Sequence, residues 1–253
     1  MLIVESLIDG KVIARMQEAD PVRTEQISPA HRLWLTQNMF EPALRKEAGR
    51  FGASQIFGTS VAHYEQQADG VIVVIKDLKT EALTKYKADY LVACDGNRSP
   101  VRRAEGIDWH GQGIVGNSMS INFTADLTPY LGSRAVHGVT YVINDKVSGG
   151  FRLEDNGKAG FMIVMRAGKR TSFEPDSVTE QEAKDIFYMA AGLEKEIPLK
   201  IDSVSYWSAA AFNAERYSKI GGRVFLAGDA AHVMPPTGGM GGNTGIQVSK
   251  QQT

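Results

Sequence analysis

The 253-residue sequence predicts a mixed α/β (α+β) fold, in which a pattern of strand, acidic turn and helix is interrupted by a long sheet-rich segment and then resumes. Two observations carry this. Two compact apolar runs, Tyr90 to Ala93 and Arg223 to Ala227, each empty into an acidic, glycine-containing turn, Asp95-Gly96 and Gly228-Asp229. Between about Ile107 and Phe212 the apolar residues fall instead into short strand-like runs.

Taken in order, Leu35 to Ala48 sets Leu35, Met39, Ala43 and Leu44 near helical spacing, with Thr36 as N-cap and Gly49 as stop. Gln55 to Phe57, Val61 to Gln66 and Val71 to Asp77 read as strands, the last two joined at Asp69-Gly70 into a hairpin. After Asp95-Gly96, Ser99-Pro100 has the form of an N-cap followed by proline at the first helical position. The sheet-rich segment holds runs at Ser118 to Phe123, Val139 to Ile143, Gly150 to Leu153 and Gly160 to Val164. Its one helix, Glu180 to Ala191, is opened by Thr179 and Glu182 in capping-box spacing. The domain expectation is therefore residues 1–106 with 213–253 as one domain, and 107–212 as the inserted one.

Composition narrows the function classes. Twenty-eight basic and 29 acidic residues leave a formal net charge of -1, with no basic concentration suited to a phosphate backbone, so nucleic acid is not an expected partner. The single cysteine, Cys94, has no disulfide mate, and five scattered histidines lack metal-ligand spacing. Met1 to Ala14 lacks the basic start and apolar core of a signal peptide, and no run reaches the roughly 20 apolar residues of a membrane span. The expectation is a soluble, cytoplasmic protein without a metal.

The residues with chemistry lie in three strings. In Gly222 to Gly245, a buried strand delivers Asp229 at its carboxyl end, where ligands of open α/β sheets bind, so Asp229 would accept hydrogen bonds from a ribityl or ribose hydroxyl. Glycines 238, 239, 241 and 242 then expose consecutive backbone N–H groups before a helix start, a place favouring an anion or an electron-rich ring edge. The whole string closely resembles the G-D motif of class A flavoprotein monooxygenases, the group containing p-hydroxybenzoate hydroxylase and the aromatic polyketide hydroxylases. Ala88 to Arg103 resembles the same family's D-G motif, and Gln37 to Arg45 is similar to its helix whose glutamine touches the flavin.

The resemblance implies a partial Rossmann-like FAD-binding domain with an inserted sheet-rich substrate domain. It further implies hydroxylation of a phenolic or polycyclic aromatic by FAD, oxygen and NADPH or NADH as co-substrate. Carried over by position, Gln37 touches the flavin, and Asp95 and Gly96 lie near its pyrophosphate and are tied to nicotinamide use. Gly228 and Asp229 meet the flavin chain, Pro235 stands near the reactive face, and Gly238, Gly239, Gly241 and Asn243 cradle the ring. No residue stands out as catalytic. Arg98 reads either as a phosphate partner or as a solvated side chain, Glu41 with Arg45 as a surface ion pair, Cys94 as a small core residue, and His232 as a structural group bonded to its loop. Trp207, Tyr206, Phe212, His137, Tyr141 and Met162 could line an aromatic cavity, but strand aromatics usually serve the core.

Two departures from the family pattern stand in the sequence. Met1 to Arg32 contains no G-x-G-x-x-G fingerprint, and the chain ends just after the G-D loop, so the expectation is a shortened form with weakened FAD affinity and an exposed apolar edge that favours association into homo-oligomers. The alternatives are a noncatalytic binding or interaction module, and a related flavin reductase or epoxidase. Flavin colour after purification separates the first, and coupled formation of hydroxylated product the second.

Overall fold

The computed structural model describes residues 2–15, 35–132, 138–193, 197–236 and 239–251. In chain order its strands are β1 (Leu2–Val4), β2 (Val12–Arg15), β3 (Thr59–Gln67), β4 (Gly70–Asp77), β5 (Leu83–Ala88), β6 (Leu91–Ala93), β7 (Trp109–Thr124), β8 (Val139–Ile143), β9 (Val147–Glu154), β10 (Ala159–Ala167), β11 (Lys200–Ala214), β12 (Val224–Leu226) and β13 (His232–Val233). Its α-helices are α1 (Gln37–Arg50), α2 (Pro100–Ala104), α3 (Thr128–Leu131), α4 (Glu180–Ala191) and α5 (Met240–Gln251). The chain divides into two compact units, Met1–Thr36 with Gly116–Ser208, and Gln37–Val115 with Ala209–Thr253.

The first unit is a sheet covered by one helix, its strands ordered β11-β7-β10-β9-β8-β1-β2. Alternation along β7 explains both faces. Met119, Ile121 and Phe123 are buried, whereas Ser120, Asn122 and Thr124 bond to β11 through Trp207 Nε1, Ser203 Oγ and Asp202 Oδ2 at 2.9, 2.9 and 2.7 Å. Helix α4 lays Ala183, Ile186, Phe187, Ala190 and Ala191 on the apolar face, spacing i, i+3, i+4, i+7, i+8. Phe187 meets Phe123 and Phe151 edge to face, with ring centroids 4.7 and 5.7 Å apart.

Both ends of α4 are satisfied. Thr179 and Glu182 form the expected capping box, and the Thr179 N–H and hydroxyl bonds hold the Glu182 carboxyl below its usual range. At the other end Gly192 is left-handed (φ 74°), and the N–H groups of Leu7 and Ile8 donate to the carbonyls of Ala190 and Ala191 at 3.0 Å. Through this contact the described residues 2–15 pack with the sheet-rich unit. Strand β1 pairs parallel with β8 in the register Ile3↔Tyr141, and Val4 and Leu7 are fully buried. A partner some 138 positions away along the chain leaves no mark on local periodicity.

A methyl group at Gly192 would stand 2.5 Å from Ser6 Oγ and 2.7 Å from Asp9 Oδ1, on a backbone that side chains rarely adopt. Gly192→Ala is expected to lower unfolding stability by about 2 kcal/mol, read from the denaturant midpoint at constant slope.

The second unit joins an antiparallel sheet, β3-β4-β5, to a parallel pair, β12-β6. Val71, Val73 and Val224 pack together with Tyr64, Ile75, Leu91 and Val101; a second cluster gathers Ala93, Ile107, Ala214, Leu226, Ala230 and Ala231. The hairpin of β3 and β4 lies where expected, but β5 pairs with β4 as a third strand that the alternation of Lys and Tyr had hidden. Gln55 to Phe57 is not a strand. Gln55 Nε2 donates to Arg45 O at 2.7 Å and the Arg45 guanidinium lies 4.8 Å over the Phe57 ring, so side-chain contacts with α1 replace strand pairing. Gly49 lies inside α1, which gives way to a turn at Phe51 and Gly52, where Gly52 is left-handed. Glu41 and Arg45 form the expected surface pair at 2.7 Å.

Candidate functional site

Strands β6 and β12 run parallel in the register Leu91↔Val224, Val92↔Phe225, Ala93↔Leu226, fixed by Leu91 N to Arg223 O at 2.9 Å and Ala227 N to Ala93 O at 3.0 Å. Both strands therefore end at the same level, and the turns Asp95-Gly96 and Gly228-Asp229 emerge side by side about 5 Å apart. Two signals separated by more than 130 residues meet at the carboxyl edge of a parallel pair.

Each turn is built for a different task. Asp95 Oδ2 accepts the Val101 N–H at 3.1 Å, Ser99 Oγ accepts the Arg102 N–H at 2.8 Å, and Ser99 N donates to Gly96 O at 2.9 Å, with Gly96 left-handed. Asp95 thus holds the start of α2 in place. Asp229 is exposed on a single 3-10 turn, Gly228–Ala230, closed by Ala231 N to Gly228 O at 2.9 Å, and its carboxylate has no protein partner among the described residues. The left-handed Gly228 (φ 58°) makes the sharp exit from β12 possible and leaves space above it open.

Helix α5 follows. Gly239, also left-handed, donates its N–H to Pro236 O at 3.1 Å, and Asn243 Nδ2 donates to Gly239 O at 2.9 Å. Gly245 approaches Gly228 so closely that a methyl group on it would stand 3.6 Å from the Gly228 Cα, which places α5 against the Asp229 turn. Among the described residues nothing lies within 4 Å of where a side chain would stand on Gly239, Gly241 or Gly242, so the backbone at the start of α5 is open to close approach there. Pro235 is half-buried; Gly238 lies outside the described residues. Gln37 opens α1 with an exposed side chain and no hydrogen bond to either turn.

Several expectations change here. Cys94 is exposed, and partial desolvation together with the Asp95 charge raises its thiol above the usual range. His232 is only 7% exposed, but neither ring nitrogen has a partner among the described residues, so no hydrogen bond ties it to the described part of its loop. Met162 is fully buried core, Trp207 is committed to Ser120, Phe212 stacks on Trp109 at 5.8 Å, and His137 lies outside the described residues.

Sequence reasoning missed the supports of the site. Arg102 is 7% exposed, lies 4.2 Å over the Trp109 ring and donates Nη1 to Ile107 O at 2.8 Å. Glu105, at the end of α2, accepts the Tyr64 hydroxyl at 2.8 Å and pairs with Lys219 at 3.2 Å. Burial, that hydrogen bond, and the negative charges of Glu105 and Asp95 push the Tyr64 phenol well above its usual range. Because the folded state favours the protonated phenol, this contribution is complete below pH about 10 and lost as pH rises beyond it. Tyr64→Phe is expected to flatten the alkaline fall in stability, measured by unfolding between pH about 8 and 11; an unchanged slope would remove Tyr64 as its source.

A family model described as an FAD binding domain matches residues 6–250. The chain belongs to the class A flavoprotein aromatic monooxygenases. This FAD-binding-domain chain is 38% identical to 4-methyl-5-nitrocatechol 5-monooxygenase from Burkholderia sp over 250 residues, covering 96% of the chain and 44% of that relative. It is 40% identical to tetracenomycin B2 monooxygenase-dioxygenase from Streptomyces olivaceus over 224 residues, covering 87% of the chain and 40% of the relative. Among solved structures, aklavinone-11 hydroxylase in a ternary complex with FAD and aklavinone superposes with a TM-score of 0.86 at 30% identity, covering 97% of this chain and 46% of that one. The chain thus spans less than half the length of these relatives. No helix among the described residues is long and apolar enough to cross a membrane.

The residues present fit a flavin nucleotide. A carboxylate without a partner among the described residues suits a sugar hydroxyl, and the open glycine backbone at the start of α5 admits a flat ring.

Proposed function

We propose that this chain is the flavin-holding and substrate-facing part of an aromatic hydroxylase that inserts one oxygen atom into a phenolic or polycyclic ring. The observation that carries the reading is the meeting of the Asp95 and Asp229 turns at the carboxyl ends of β6 and β12, beside the open start of α5. FAD, when bound, supplies the redox chemistry, taking a hydride from NADPH or NADH and activating oxygen.

The chain's own residues bind and orient. Asp229 accepts hydrogen bonds from a ribityl or ribose hydroxyl. Gly239, Gly241 and Asn243 hold the ring edge through main-chain N–H groups and the fixed start of α5, with Gly238 in the same run and Pro235 near the reactive face. Gly228 lets the cofactor approach. Asp95 and Gly96 act through the shape of their turn, since one Asp95 oxygen is already committed to Val101, and Gln37 reaches the flavin from the start of α1. The unit of residues 37–115 and 209–253 is the FAD-binding domain in this reading, and that of residues 1–36 and 116–208 the substrate domain. A reducing cytoplasm suits the single exposed thiol, and the exposed Met39, Phe40 and Leu44 of α1 are suited to association of copies.

Purified chain titrated with FAD and passed through gel filtration tests the reading. The expected result is retained flavin and, with a phenol screen, NADPH oxidation coupled to hydroxylated product. A folded chain that retains no flavin overturns the binding assignment; flavin-dependent NADPH oxidation without hydroxylated product would point to a reductase.

A further inference from the structure

His232 is a buried polar group in the Asp229 segment whose ring nitrogens nothing among the described residues satisfies. It follows directly on the 228–231 turn and opens β13, pairing through its backbone with Asn213. The residue is 7% exposed, and among the described residues neither Nδ1 nor Nε2 meets a donor or acceptor. The nearest aromatic, Tyr217, has its ring 6.3 Å away in a tilted arrangement and spends its hydroxyl on Asn213 Oδ1 at 3.0 Å. The turn leading into His232 contributes Ala230 and Ala231 to a buried apolar cluster with Ala214 and Leu226.

An imidazole left so costs folding free energy, and a purely structural side chain at this position would be better apolar. A neutral imidazole carries one donor and one acceptor on nitrogens that point away from each other, and a hydroxyl or a water, each both donor and acceptor, can pair with either of them. The same segment holds the exposed, unpartnered carboxylate of Asp229, which is itself matched to a hydroxyl.

We propose that His232 is a cofactor-positioning residue whose hydrogen-bond partner arrives with the flavin nucleotide, a hydroxyl of its ribityl or ribose part reached directly or through one ordered water. This rests on the flavin reading above. It divides the role of the segment: Asp229 supplies charge to the sugar from the surface, and His232 fixes the sugar's orientation from beneath.

The proposal predicts effects of opposite sign in one variant. His232→Leu removes two unsatisfied nitrogens, so the chain without FAD should melt at the wild-type temperature or about 2 °C or more above it. The same variant should bind FAD about fivefold or more weakly, by quenching of flavin fluorescence. His232→Gln, which keeps a donor and an acceptor, should recover part of that affinity. A leucine variant with wild-type affinity overturns the proposal, leaving His232 with a buried water only. Should leucine lower both melting temperature and affinity, the glutamine variant decides: recovered affinity upholds the proposal and none overturns it. Absence of FAD binding by the wild-type chain is a different result, since it removes the flavin reading first and this inference with it.

Discussion

Asp229→Ala is expected to weaken FAD binding by about 10- to 100-fold, the effect of deleting a charged acceptor for a sugar hydroxyl. The magnitude follows from geometry. The carboxylate stands exposed on the 3-10 turn with no partner among the described residues, so its removal should shift the melting temperature of the flavin-free chain by less than about 2 °C. Affinity and stability are thereby separated in one variant. Asp229→Asn retains an acceptor without the charge and should fall between. Fluorescence titration reads all three proteins, and an alanine variant within about threefold of wild type would remove Asp229 from the site.

Phe187→Ala should be among the most destabilising single changes in the sheet-rich unit, costing about 3–5 kcal/mol. Phe187 is fully buried and lies in edge-to-face contact with Phe123 and Phe151, while Tyr188 beside it bonds Ile197 O at 2.7 Å. Truncation removes the central ring of three and leaves a void between α4 and the sheet, lined by groups on a rigid ladder. Phe187→Leu fills most of the space and should cost about 1.5 kcal/mol or less. Chemical denaturation measures both, and an alanine variant losing under about 1 kcal/mol would mean that α4 does not close this core.

The acidic turns were legible because each is a local pattern. An apolar run entering Asp-Gly or Gly-Asp states its own strand and turn, and the parallel pairing of β6 with β12 confirms that both runs are strands. The α4 capping box was legible for the same reason, as Thr179 and Glu182 lie within one turn. Where the reading departed from the structure, a distant partner decided. Residues 2–8 pack with the sheet-rich unit through β8 and the carbonyl end of α4, and Gln55 to Phe57 turned onto Arg45 in place of a strand. Cys94 follows a buried alanine but faces outward, because side chains alternate at the end of β6.

The family and the two turns of the site are determined by the sequence alone, because each motif is contiguous and its residue types are set by local needs: a left-handed glycine, a carboxylate at a strand end, an N-cap before proline. Only the tertiary structure decides which of those residues are free to meet a ligand. It commits Asp95 to the start of α2 and leaves Asp229 open. It buries Arg102 against Trp109, ties Tyr64 to Glu105, and encloses His232 without a hydrogen-bond partner among the described residues. Hydrogen-bond satisfaction and burial depend on groups brought together from far along the chain, and no local pattern of residues encodes them.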